Sequence, residues 1–456
     1  MVHEVIPTPV LNRLRLIGDP DLDPLMKSDE AEKFKFDVQS HRLLVTETVI
    51  DKKFFRVVPD TPLDQLDAEK LMRAQRLFAT YGAEISGALL LAALPQSYAA
   101  QWASRVLVAS ARLQDDFRRR ILGTSQFLVV AMRGAKDKWD VERYWTKGKN
   151  PSAASLMMPW KACLAVRLYH AAIRKSLTPW DDRKEPLATL LGDHNDVPIN
   201  QEDLLATLLT FTITVFEVLE RYGISWTADE QRAYLYAWDL IGQHLGIGSD
   251  KVIAELAKPV PSYPVRDDGS QLPIDAKGFQ QRRKEEGWHG LRPPTIAATR
   301  RLLEQLRDRQ WPPLDVKTPI AGGEDGAEWE GARSGRVLVR ALLNELIAAM
   351  PWQMRGAPLS VMRALARPIV RQRLSLGGGG IVLSLVDLLP KRRDIVAQFT
   401  AQPVVNPVGA GLLRWLANQV TTHVIVSFTR DGDLRLPGLE AWSKGLPEPA
   451  DARLVP

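Results

Sequence analysis

The sequence predicts an all-α protein, and three observations carry that prediction. From Asp64 onward, apolar residues recur at helical spacing in segments rich in Ala, Leu, Glu, Arg and Lys. Helix-start signals stand where such segments begin: Asn200 before Gln201-Glu202-Asp203, and the capping box Thr227-Ala-Asp-Glu230. Strand-like alternation is almost absent before residue 420.

Taken in order, residues 1–64 read as an irregular arm, because Pro7, Pro9, Pro20, Pro24 and Pro59 cut its apolar pieces short. Asp67 opens the first helix with an acidic first turn. Gly82 to Leu94 reads as a helix buried on all sides that carries one carboxylate, Glu84, and Pro95 is expected to separate it from a helix over Ser97–Leu113. Asp115–Met132 is the next helix; Arg120 and Thr124 lie one turn apart on it, with Gly123 between them. Arg133–Pro159, with Gly134, Gly148, Asn150 and Pro151, reads as an irregular connection or lid. A helix over Pro159–Ser176 follows, then a polar loop through Asp181–Asn195. Further helices are predicted over Gln201–Tyr222, stopped by Gly223, and from Thr227 to Gly246. Residues 257–295 read as a long surface excursion, with helices resuming at Thr295–Gln310, Gly335–Met350 and Leu359–Leu374. The glycine run 377–380 lacks the Lys-Ser/Thr of a phosphate loop. A short strand pair is expected at Thr422–Phe428 and Leu434–Leu436. The domain reading is an arm (1–64), a main helical domain (65–375) and a C-terminal extension packed on it (376–456).

Composition narrows the functional classes. The 456 residues are 45% hydrophobic and 25% charged, which describes a soluble globular protein with an ample core. The formal charge of +6 is spread over short Arg/Lys runs without interleaved aromatic residues, so nucleic acid is not the expected partner. One cysteine, Cys163, excludes an intrachain disulfide framework and a Cys-x-x-Cys-His haem attachment. The seven histidines form no zinc-spaced cluster. The start lacks a basic region followed by an apolar one, and no run reaches the roughly 18 apolar residues of a membrane span. The chain therefore reads as cytoplasmic, with no integral membrane segment.

The segment richest in chemistry is Arg167-x-x-His170-x-x-x-Arg174, on the helix from Pro159. The spacing puts all three side chains on one face of an otherwise apolar helix. Buried guanidiniums require an anionic partner. A haem meets both needs, with an iron for the imidazole and propionates for the arginines. The same spacing also suits a core or surface histidine among ordinary helix charges.

Five short pieces, in order, resemble the catalytic domain of the latex clearing proteins (bacterial rubber oxygenases) and of the fungal oxygenase that trims a farnesyl chain in mycophenolic acid biosynthesis. They are Gly82-Ala-Glu-Ile…Ala93-Leu-Pro-Gln-Ser-Tyr98, Arg120-x-x-x-Thr124, the Arg167–Arg174 face, Pro198-Ile-Asn-Gln-Glu-Asp-Leu204, and Ala237-Trp-Asp-Leu-Ile-Gly-Gln-His-Leu-Gly246; Pro358-Leu-Ser-Val-Met-Arg363 is a weaker echo. The resemblance covers roughly residues 65–375. It implies a globin-like helical core around haem b, with His170 as proximal iron ligand, Arg167 and Arg174 flanking it, and Arg120 and Thr124 on the distal side. It also implies an O2-dependent oxygenase that cleaves C=C bonds of an apolar, isoprenoid substrate. Some family members carry a lysine just before the distal threonine. Gly123 stands there in this chain, so the sixth iron position is expected to be open, or filled by Lys136, Lys138, His194 or His244. Family members also carry an acidic base, for which Glu84 is the candidate here. An open distal side equally suits a haem protein without turnover: a gas sensor, a carrier or a peroxidase-like scavenger. A helical interaction protein that has lost haem fits less well, since the Arg-His-Arg face would be costly without its partner.

Overall fold

The computed structural model describes residues 4–26, 66–109, 117–145, 159–177, 197–258, 276–310, 330–367, 370–371, 374, 376 and 407–430. Among these, every regular element is a helix, and the only β pairing is an isolated bridge between His289 and Arg292. The all-α expectation holds.

The arm is helical in part, which corrects its reading as irregular. α1 (Thr8–Leu14) and α2 (Asp23–Met26) form there, with Pro9 and Pro24 near helix starts where their missing N–H groups cost nothing. Ile6, Val10, Leu11 and Leu14 are fully buried, so this segment belongs to the core. Gln305, 299 residues beyond Ile6, holds it, accepting from Val5 and Ile6 N–H and donating to Ile6 O.

α3 (Ala68–Thr80) is capped by Asp67, whose side chain accepts from Lys70 N–H. It meets α4 (Gly82–Ala99) at a bend of 84°. Pro95 does not split α4, contrary to expectation. A π turn at Leu89–Ala93 precedes it, with Leu94 N–H donating to Leu89 O, five residues back. Pro95 has no N–H to give to Leu91, and the wide turn absorbs that loss inside a continuous helix. The break falls instead at Ala100, where the backbone turns extended before α5 (Gln101–Ala109). No single helix among the described residues is long and apolar enough to cross a membrane; α3 and α4 pass such a test only as a bent pair.

α6 (Phe117–Ala131) is followed by α7 (Lys138–Trp145), a helix within the expected lid; residues 146–158 lie outside the described part. α8 (Pro159–Leu177) carries His170 and packs on α6, α2, α7 and the later α10 (Ala228–His244). The polar loop 181–195, with His194, lies outside the described residues.

α9 (Gln201–Arg221) is the central element. Leu205, Leu209 and Ile213 are wholly buried and Phe216 nearly so, each such side chain contributing about 1.5–3 kcal/mol on removal from water. It ends at Gly223, as expected, and α10 opens with the expected capping box, Glu230 N–H on Thr227 Oγ1 and Thr227 N–H on Glu230 Oε2.

α11 (Asp250–Leu256) ends where the expected surface excursion begins, and α12 (Ala276–Glu286) interrupts that excursion, of which 259–275 is outside the described residues. α13 (Ile296–Gln310) and α14 (Glu330–Ala348) follow. α15 (Ala357–Leu365) is shorter than predicted because Ala366 turns extended two residues before Pro368. The expected strand at 422–428 is instead part of α16 (Pro407–Arg430), which packs along α4; Leu434–Leu436 and the glycine run are outside the described residues.

Candidate functional site

α8 buries most of its circumference. Trp160, Cys163, Leu164, Leu168 and Ala171 are at most 1% exposed. Val166, Tyr169 and His170 are only half-buried, and their spacing makes one stripe along the helix. The His170 imidazole therefore sits at an incompletely filled face of an otherwise packed helix.

Arg167 and Arg174 are buried, as expected, but their partners come from the protein. Arg167 Nε donates to Asp19 Oδ2 at 2.5 Å, and Nη2 donates to Asp19 Oδ1 at 2.8 Å and Asp21 Oδ2 at 2.9 Å. The Arg167 and Asp19 side chains are 2% and 3% exposed. Burial alone would raise the Asp19 carboxyl, but Arg167, together with Arg174 and the Leu22 N–H, holds the group below the ordinary carboxylate range. Arg174 Nε donates to Asp23 Oδ1 at 2.9 Å, and Nη1 donates to Ile199 O at 3.2 Å. The expected anionic partners are thus, among the described residues, carboxylates of the arm. The signal was present in the sequence as Gly18-Asp-Pro-Asp-Leu-Asp23, three carboxylates in five residues.

The motif Asn200-Gln201-Glu202-Asp203 is almost wholly buried and ties this region together. Asn200 caps α9 by accepting from Asp203 N–H. Gln201 donates to Gly18 O at 2.7 Å and Gly246 O at 3.3 Å and accepts from Gly248 N–H. Glu202 pairs with Arg15 and Arg309. These are scaffold roles, joining the arm, α9 and the end of α10.

On α6, the turn from Gly123 to Gln126 is half-buried throughout, although Ile121, Leu122, Phe127 and Leu128 on either side are buried. A Cβ built on Gly123 would meet nothing within 4 Å. Thr124 lies on this open turn. Arg120 is one turn before it on α6, and its side chain lies outside the described residues.

Glu84 is not brought to His170 by any described contact. It is buried and held by Arg414 of α16, Nη2 to Oε1 at 2.7 Å, and by Asn418 Nδ2 at 3.1 Å. Among the suggested sixth ligands, Lys136 and Lys138 are exposed. His244 is buried, with Nδ1 2.9 Å from Leu240 O and its ring edge-on to Trp145. Burial, with the positive Arg167 nearby, lowers its pKa to about 4, so it is neutral at pH 7.

As a seat for haem, the described residues offer a half-buried imidazole to an iron, while the two arginines beside it already have carboxylate partners. A half-buried imidazole and an open turn at Gly123 lie on two packed helices. Arg167 pairs with Asp19 and Asp21, and Arg174 with Asp23. Among the described residues no cluster of His, Cys, Asp and Glu is placed to hold a bare metal ion.

Comparison with known proteins adds three findings. A family model described as "ER-bound oxygenase mpaB/B′/Rubber oxygenase, catalytic domain" matches residues 71–377, well over half of the chain. The solved structure entitled "Structure of Latex Clearing Protein LCP in the closed state" is similar in fold, with a TM-score of 0.54 at 16% identity, covering 90% of this chain and 91% of that one. No curated protein matches the sequence significantly.

Proposed function

Starting from the fact that this chain belongs to the mpaB/rubber oxygenase catalytic-domain family, we propose that it is a haem b-dependent oxygenase cleaving a C=C bond of an apolar, isoprenoid substrate. Both atoms of O2 end in the two carbonyl products, so the reaction balances without an external reductant. The observation that carries the reading is that, within the matched region, α8 with its half-buried His170 packs on α6, which carries the open Gly123–Gln126 turn.

In this reading His170 holds the iron through its imidazole. When bound, the haem supplies the metal that takes up dioxygen. Thr124 offers a hydroxyl donor beside the open turn, and Arg120 is proposed as a second, charged donor on the same side. Phe127 and Leu128, buried on the next turn of α6, exclude water from the neighbourhood. Glu84 is not assigned a proton-transfer role, since its charge is engaged by Arg414. We place the activity in the cytoplasm.

The test is direct. The purified protein should show a Soret band that is lost in His170→Ala, and it should consume O2 with squalene or cis-polyisoprene, yielding carbonyl-ended fragments. A Soret band of wild-type intensity in His170→Ala overturns the ligand assignment. A haem protein that takes up carbon monoxide rapidly but consumes no O2 with any polyisoprenoid supports the second reading, a small-ligand haem protein, which the open space at Gly123 favours.

A further inference from the structure

The contacts of the N-terminal arm converge on the two arginines that bracket His170. We propose that Asp19, Asp21 and Asp23 are positioning residues: with Ile199 and Gln201 they form a latch that fixes the rotation and height of α8, and with it the aim of the His170 imidazole. The proposal rests on the reading of His170 as iron ligand.

Arg167 lies one turn before His170 and Arg174 one turn after it. Seven residues of helix separate the two grips, about 10.5 Å. A helix held at one point can roll, whereas one held by two side chains on the same face, either side of the ligand, is fixed in both rotation and translation. The inner grip is dry and bidentate, through Arg167 Nε and Nη2 on the two oxygens of Asp19. The outer grip, Arg174 on Asp23, is partly open to solvent on the aspartate side.

The surroundings are shaped to these grips. Gly246 has φ +77, and a Cβ there would stand 2.6 Å from Arg167 Nε and 2.7 Å from its Cζ and Nη2. Gly18 plays the same part beside Arg174, where a Cβ would stand 3.0 Å from Cδ and Nε. Ile199 adopts φ 52, a conformation unfavourable for a β-branched residue, and in it presents its carbonyl to Arg174 Nη1. Backbone bonds from Val197 N–H to Arg15 O and from Gln201 N–H to Ile17 O, both 2.9 Å, lash the arm to the same loop. The Gln201 side chain joins arm and α10 through the carbonyls of Gly18 and Gly246. Strain, two close glycine approaches and a buried bidentate pair meet at one place, flanking the one imidazole of the helix. Propionate binding by Arg167 would compete for the edge that Asp19 occupies.

The experiment uses the full chain with Asp19→Asn, Asp23→Asn, Arg167→Ala, the Asp19→Asn/Arg167→Ala double variant, and Asp19→Glu as the conservative change. Haem transfer to apomyoglobin and the iron–histidine stretch of the ferrous protein are measured, with hydrogen exchange over residues 159–177 in the haem-free protein. Asp19→Asn is expected to speed haem transfer about tenfold or more and to shift or broaden the iron–histidine stretch, as loss of one partner of a buried charged pair implies. Asp19→Glu should recover part of this, and the double variant should be no worse than Arg167→Ala alone. Asp23→Asn, at the more exposed grip, should fold normally and show the same changes in weaker form.

Unchanged stretch and transfer rate in both Asp variants overturn the latch. So do effects of Asp19→Asn and Arg167→Ala that multiply, the result expected if Arg167 served a propionate independently. If the wild-type chain takes up no haem, the functional reading fails by itself and exchange decides the latch. Unchanged protection of α8 in both Asp variants then overturns it, and lost protection upholds it.

Discussion

Two glycines with nearly the same left-handed backbone provide a matched test of how tightly Arg167 is held. Gly246 has φ +77 and Gly223 has φ +76. Alanine at either position costs about 1–2 kcal/mol for occupying that conformation. At Gly223 the new Cβ would meet only Ala410 Cβ at 3.7 Å, an ordinary contact. At Gly246 it would stand 2.6–2.7 Å from three atoms of the Arg167 guanidinium, which Asp19 and Asp21 clamp in a site 2% exposed. Overpacking of this kind costs about 1–3 kcal/mol further. Gly223→Ala should therefore destabilise by about 1–2 kcal/mol and Gly246→Ala by about 2–5 kcal/mol. Urea unfolding, followed by far-UV circular dichroism and tryptophan fluorescence, measures both. In an Arg167→Ala background the extra loss at position 246 should vanish. Equal losses in the wild-type background, or an excess that survives removal of Arg167, would refute the reasoning.

Other expectations follow from the same geometry. Gly123→Ala should stabilise α6 by roughly 0.5–1 kcal/mol, because the added methyl gains helix propensity and meets nothing; a loss of stability in the same unfolding assay would show the space is filled. Gly123→Lys should slow carbon monoxide uptake by the ferrous protein in stopped flow, and unaltered kinetics would argue against that turn facing the iron. Glu84→Gln should cost about 1 kcal/mol, modest because Arg414 is 42% exposed, and leave O2 uptake per haem unchanged; a large turnover loss at constant stability would restore Glu84 as a base. His244, neutral in the fold with a pKa of about 4 against 6.5 when unfolded, contributes fully above pH 6.5. Its contribution falls as pH drops from 6.5 towards 4, by about 3 kcal/mol in total. His244→Gln should flatten that part of the stability–pH curve, and an unchanged slope would show that His244 does not generate it.

What was legible in the sequence is what depends on neighbours along the chain. The Asn200 cap, the Thr227–Glu230 box and the Gly223 stop are settled within four residues and stand as predicted. The burial of Arg167 and Arg174 was legible too, from an apolar helix carrying two guanidiniums on one face. Their partner was not, since Asp19 is 148 residues away and nothing local selects it over a ligand. Pro95 misled because the rule that proline ends helices has an exception, the wider π turn, which no local composition signals. The run Val424-Ile-Val-Ser-Phe428 looks like a strand by its β-branched residues. Packing decides otherwise: Thr421 and Ala417 of α16 lie against Gly87 of α4, and Val420 and Val424 are buried. Glu84 was singled out correctly as a buried carboxylate, and its partner Arg414, 330 residues on, was invisible for the same reason as Asp19.

The sequence distance spanned by the arm also sets the order of events on the ribosome. Asp19 must wait for Arg167, and Ile6 for Gln305, gaps of 148 and 299 residues. At about 5–20 residues per second, that is about 7–60 s of synthesis during which the arm has left the exit tunnel without its docking surface. Throughout that interval Ile6, Leu11 and Leu14 remain open to chaperones and proteases, although in the finished molecule they are fully buried. A segment made early thus settles late. Until it does, α8 lacks the Asp19 and Asp23 contacts that hold it in place, so the setting of His170 is completed only once Gln305 has been made and the arm has docked.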